Sequence, residues 1–216
     1  MVKQISSKHF STDWKTSLSD RNSYEWSNAI EIIKDRFESR FLNPVETLIS
    51  HSNPDIKYNV GFIVMSIDCL LIETLNQFYF GLKKTTDKYK PTNADSNYKY
   101  NWQAFRDFFQ HSSYFPEFKG NDVLIKTFFD EIRCGLLHQA ESKTNSLINI
   151  KNSKIVLPII PDDYSQGMII NRNLFHKSLR KEFDKYILDL SNPDSKNIYG
   201  EYLRDKCNEK MVELCR

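Results

Sequence analysis

An arginine and a histidine stand five positions apart in the run Arg133-Cys134-Gly135-Leu136-Leu137-His138. Arginine carries a permanent, planar fork of donors matched to phosphate oxygens. Histidine gains or loses a proton near neutral pH. Together they are the minimum equipment for moving a phosphodiester without a metal: the guanidinium offsets charge developing on phosphate, and the imidazole handles the proton of an attacking or leaving oxygen. Nothing else in the 216 residues has comparable chemical content.

The element that must position this pair is legible upstream of it. Asn121 or Asp122 can cap a helix, and Leu124, Ile125, Phe128, Phe129, Ile132 and Leu136 form an apolar stripe at helical spacing. On that helix Arg133 stands at the rim of the stripe, and His138 lies about 140° round from it. One straight helix therefore does not aim both groups at one atom. Either the helix ends near Gly135, letting His138 swing back, or two copies cross at a two-fold axis and each Arg133 meets the other copy's His138.

A second helix, over 57–83, is apolar on nearly every face, which predicts a buried central helix. Asp68 and Glu73 interrupt it, and buried carboxylates need partners. Glu73 reads equally well as an orienting group for Arg133 or His138 and as structural glue; Asp68 leans structural.

The rest reads as a helical bundle. Residues 1–22 are polar and unpatterned, a loose arm; 23–216 form a single domain. Trp26, Ala29, Ile30, Ile33 and Phe37 mark a first helix, which Asn43-Pro44 breaks or restarts. A polar loop over 84–99 follows the central helix. Its lysines Lys84, Lys88 and Lys90, with Lys83 and Lys99 and interleaved Tyr89, Tyr98 and Tyr100, could grip a single strand by charge and stacking, although a solvated loop is the simpler reading. Trp102 to Phe109 form a short helix. Residues 147–150 and 155–160 read as a hairpin of two short strands, with Met168-Ile169-Ile170 as a candidate third. Helices over 174–190 and 198–214 close the chain. The expected architecture is mainly α: a helical bundle with a small β-hairpin insertion near 147–170 and C-terminal helices. Trp26, Phe128 and Phe129 are expected in the core, and His9, His51, His111 and His176 at the surface.

Composition bounds the function classes. The chain is 40% hydrophobic and 13% aromatic, a globular balance. Its net charge of +2 supplies no strong global field to recruit nucleic acid. Cys69, Cys134, Cys207 and Cys215 lack ligand-like spacing, so neither a metal nor another cofactor is expected. The N-terminus has no signal-peptide core, and the apolar run 60–75 carries Asp68 and Glu73, which argues against a membrane span. The expectation is a reduced, soluble, cytoplasmic protein.

Arg-x4-His on a late bundle helix resembles the HEPN superfamily. The likeness includes Phe128-Phe129-Asp130-Glu131-Ile132 before the motif, Gln139-Ala140 after it, and the apolar run Asp68-Cys69-Leu70-Leu71-Ile72-Glu73-Thr74-Leu75 two helices earlier. It covers about 26–142. The resemblance implies a metal-independent endoribonuclease of toxin–antitoxin or anti-phage type, acting as a homodimer on single-stranded RNA, with an antitoxin or other defence-system protein as a possible partner. By the same likeness Arg133 would hold the scissile phosphate, and His138 would serve the ribose 2′-hydroxyl or the leaving oxygen, giving a cyclic phosphate and a 5′-hydroxyl. Where the family often has Asn, Asp or His directly after the arginine, this chain has Cys134, a poor hydrogen-bonder. A non-catalytic HEPN-like module binding nucleotide, RNA or protein is therefore the alternative.

Overall fold

Residues 2–88, 102–143 and 145–216 are described by the computed structural model of this chain. It is mainly helical with a small three-stranded sheet. Helices α1 (Trp26–Phe37) and α2 (Asn43–Ile49) are joined without a break by a π-helical turn, Glu38–Leu42, and Pro44, which has no N–H to donate, directly follows the first residue of α2. The long apolar stretch then divides. Asn53 caps α3 (Pro54–Asn59) by accepting from the Asp55 N–H at 2.9 Å, and Val60 separates it from α4 (Gly61–Phe80). Gly81, in the left-handed region at φ 65°, ends α4.

Around α4 pack α2, α5 (Trp102–His111), α8 (Arg172–Ser191) and α9 (Leu203–Cys215), together with the π-helical turn Phe128–Arg133 and α7 (Cys134–Gln139) that follows it. This turn continues α6 (Asp122–Thr127), which Asn121 caps through the Leu124 N–H. Its two leading phenylalanines enter an aromatic cluster: Phe128 stacks on Phe175 with centroids 5.3 Å apart, and Phe109 on Phe118 at 4.1 Å. Trp26, Phe128 and Phe129 are buried, as expected.

α4 is not apolar-buried on every side. Phe62, Ile63 and Leu70 are exposed along one face. It is the one helix among the described residues long and apolar enough to cross a bilayer, and half of that stretch is buried inside the fold.

Two further expectations are corrected. The strands are β1 (Leu147–Asn149), β2 (Val156–Ile160) and β3 (Asp163–Asn171), in the order β1-β3-β2. The hairpin is β2–β3, turning at Asp162 (φ 63°), while β1 pairs parallel to β3. The apolar alternation located the strands but not their partners. Nor are residues 1–22 a loose arm. Ile5, Trp14 and Leu18 are buried, Ser7 Oγ donates to Asp35 of α1 at 2.7 Å, and Trp14 Nε1 donates to Asn208 of α9 at 2.9 Å.

Candidate active site

Arg133 ends the π-helical turn and is held by α4. Its Nη2 donates to Glu73 Oε2 at 3.0 Å, and its guanidinium carbon lies 5.3 Å from the Phe129 ring centroid. The two side chains are 13% and 16% exposed, so the ion pair sits just inside the surface. Burial works against the guanidinium's charge, but the Glu73 carboxylate, with a smaller contribution from Cys134, outweighs it and holds Arg133 above its ordinary range. The Arg133 Nε is buried without a partner. Glu73 thus both orients Arg133 and ties α4 to the motif helix.

His138 lies on α7, exposed. The helix does not end at Gly135 but runs to Gln139, so the first route to bringing His138 back is closed and the angular separation of about 140° stands within one chain. Gly135 has another duty. The chain reverses at Ala140 (φ 55°), whose N–H donates to the Leu136 carbonyl, and passes back over α7 to the π-helical turn, where the Lys143 N–H donates to the Glu131 carbonyl at 2.9 Å. A Cβ on Gly135 would lie 2.4 Å from the Glu141 carbonyl oxygen.

The other candidate residues divide. Cys134 is buried, and with Cys69 it lines the inner side of the Arg133–Glu73 pair; burial, then the nearby Asp68, pushes the Cys69 thiol well above its usual range. Asp68 does not serve Arg133 or His138: its Oδ1 lies 2.7 Å from His176 Nδ1 of α8. Lys88 is drawn away from any strand-gripping role, its Nζ 3.0 Å from Asp107 and 3.4 Å from the Phe80 ring centroid. Lys84 is exposed beyond the C-terminal end of α4, which itself lies seven residues past Glu73, roughly 10 Å along the axis. Lys90, with Tyr89, Tyr98, Lys99 and Tyr100, lies outside the described residues.

Two histidines expected at the surface are inside. His176 is buried against Asp68. His111 packs on the Tyr79 ring at 4.1 Å between centroids, and burial, then Lys185, pushes its imidazole down to about 4. The signal for His176 was available: Arg172, Phe175, His176, Leu179, Glu182, Phe183, Tyr186 and Leu190 form one inward stripe of α8, and a polar residue in such a stripe demands a buried partner. No group of residues fit to hold a metal occurs among the described residues.

Compared with known proteins, the chain matches no family model, no curated protein and no solved structure.

Proposed function

We propose that this protein is a metal-independent endoribonuclease of HEPN type, with a toxin or defence-like role in the cytoplasm, working as a homodimer in which Arg133 of one copy and His138 of the other share a groove. The observation that carries the reading is the setting of the Arg133–Glu73 pair. It lies at the surface edge of the bundle, one helical turn before exposed His138, and exposed apolar side chains border it: Leu70, three residues before Glu73, and Leu137, four after Arg133. Phe62 and Ile63 extend the same exposed run along α4. Burying such a face against a second copy is favourable and, at a two-fold axis, makes every contact twice.

In that arrangement His138 takes the proton from the ribose 2′-hydroxyl or returns one to the leaving 5′-oxygen, and Arg133 offsets charge on the phosphorane as the 2′-oxygen bonds to phosphorus and the 5′-oxygen departs. General acid–base help of this kind contributes about 10²–10⁴-fold.

The alternative reading, a non-catalytic HEPN-like module binding nucleotide, RNA or a partner protein such as an antitoxin, is favoured by one specific observation: Glu73 already occupies a guanidinium that is largely covered. Incubating the full chain with single-stranded RNA in EDTA separates the two. The nuclease reading expects cleavage to 5′-hydroxyl products, with Arg133→Ala and His138→Ala each lowering the rate by about 10²-fold or more, and with Leu70→Glu giving a monomer in sedimentation and losing cleavage. RNA cutting that persists in both motif variants overturns it, and binding without turnover selects the module.

A further inference from the structure

Away from Arg133, α2 and the first half of α8 flank an open cleft of about 320 Å³ lined by Glu46, Ile49, Ser50, Asn173, His176, Lys177 and Arg180. Two of these residues carry a buried polar atom with no hydrogen-bond partner: Asn173 Oδ1 and His176 Nε2. They are three residues apart on α8, hence on one face. The His176 ring is fixed from behind, its Nδ1 at 2.7 Å from Asp68 Oδ1, and Asp68 Oδ2 is a third buried oxygen without a partner.

With the Nδ1–H donating to Asp68, Nε2 is an acceptor, as Asn173 Oδ1 is. All three unmatched atoms then ask for N–H or O–H donors, and an unmatched buried acceptor costs about 1–3 kcal/mol. The charge balance points the same way. The charged lining residues and the groups that pair with Arg180 include three carboxylates (Glu38, Glu46 and Asp184) against two cations, Lys177 and Arg180, and Arg180 is already committed to all three carboxylates. Ile49 supplies an apolar wall.

We propose that the cleft between α2 and α8 binds a small organic cation, a primary ammonium on an apolar body, with Asn173 Oδ1 and His176 Nε2 as its acceptors. The ammonium supplies three donors to a site rich in unmatched acceptors and offsets its negative balance, and the apolar body lies along Ile49. An anion or a neutral alcohol of the same shape lacks one or both of these gains. The site stands independently of the Arg133 reading, since none of its residues belongs to that pair.

Titration calorimetry of the full chain with n-butylammonium chloride, 1-butanol and sodium butyrate tests it, read together with the ¹⁵N shift of the His176 imidazole. Saturable binding of butylammonium is expected, about tenfold or more tighter than butanol, with the His176 Nε2 resonance moving on addition. Because Asn173 Oδ1 has no partner in the fold, Asn173→Ala should leave the unfolding midpoint unchanged or raise it, and weaken butylammonium by about fivefold or more. His176→Phe strips Asp68 of its partner and is expected to destabilise the fold, so the asparagine variant carries the test. Absence of saturable butylammonium binding overturns the proposal, as do equal affinities for butylammonium and butanol, or unchanged affinity in Asn173→Ala. Tighter binding of butyrate overturns it too, because Nε2 would then carry the proton and the cleft would take anions.

Discussion

The Arg133–Glu73 contact is short and largely covered, so each group depends on the other for compensation. Removing one partner leaves a desolvated charge, which costs about 1–3 kcal/mol; removing both leaves neither charge exposed to that penalty. Glu73→Ala and Arg133→Ala are each expected to lower unfolding free energy by about that amount, and the double variant to lower it by less than their sum. A denaturant double-mutant cycle reads the difference; strict additivity would mean the two side chains are not coupled through this contact. His111 makes a prediction of a different kind. The unfolded chain accepts a proton on this imidazole near 6.5, while the folded chain resists until about 4. Between those values the unfolded state binds more protons, so stability falls as pH drops through the window and is fully regained above 6.5. Replacing His111 by Phe, which can keep the contact with the Tyr79 ring, should flatten this part of the stability profile in urea titrations from pH 4 to 7; an unchanged slope would assign the pH dependence elsewhere. Local sequence marks His176 as inward, through its place in the α8 stripe, but does not give its partner: Asp68, like the Tyr79 ring against His111, comes from α4, far away along the chain.

At the level of elements, periodicity carried much of the reading. The stripe from Leu124 to Leu136 predicts the motif helix, and the structure has it, with Arg133 at the rim as the wheel requires. What periodicity could not show is the π-helical turn Phe128–Arg133. Its extra residue per turn leaves no compositional mark, yet it is the segment that brings Phe128 and Phe129 inward and leaves Arg133 against Glu73. The sheet was half legible for a similar reason: alternation marks strands, while pairing depends on which edges meet, and β1 reaches β3 only after the chain has made the β2–β3 hairpin. The split of α3 from α4 falls at Val60, between Asn59 and Gly61, two break-favouring residues that apolar periodicity over 57–83 does not register. Gly135, by contrast, looked like a possible helix end and proves to be a crossing point. Since a Cβ there would meet main-chain oxygen rather than a mobile side chain, Gly135→Ala must push the return segment 140–143 off α7. Overpacking of this sort costs about 1–3 kcal/mol. Thermal unfolding should show the loss, and limited proteolysis should open within 140–146; a variant as stable and as protected as the parent would mean the return segment is held only loosely.

For the whole molecule, the reading of 1–22 as an arm failed because its apolar residues are few and aperiodic, and their value lies in where they dock. Ile5, Trp14 and Leu18 are buried at widely spaced positions. The Ile5 carbonyl accepts from Arg36 of α1, and the two short 3₁₀ turns at Ser11–Asp13 and Thr16–Ser19 lie on α9. The segment thereby links the first helix to the last, two elements distant in sequence. Trp14 is the fulcrum, edge-on to Trp26 with ring centroids 6.2 Å apart and donating to Asn208. Truncating such a side chain removes its buried area, leaves a cavity and strands the Asn208 oxygen, so Trp14→Ala should cost about 3–5 kcal/mol. If the segment is an integral part of one cooperative unit, that loss will appear as a lower midpoint of the single global transition, with fluorescence and far-ultraviolet circular dichroism coinciding. Were the segment a separate, weakly attached strap, the variant would instead release 1–22 to proteases while the midpoint of the helical bundle stayed where it was.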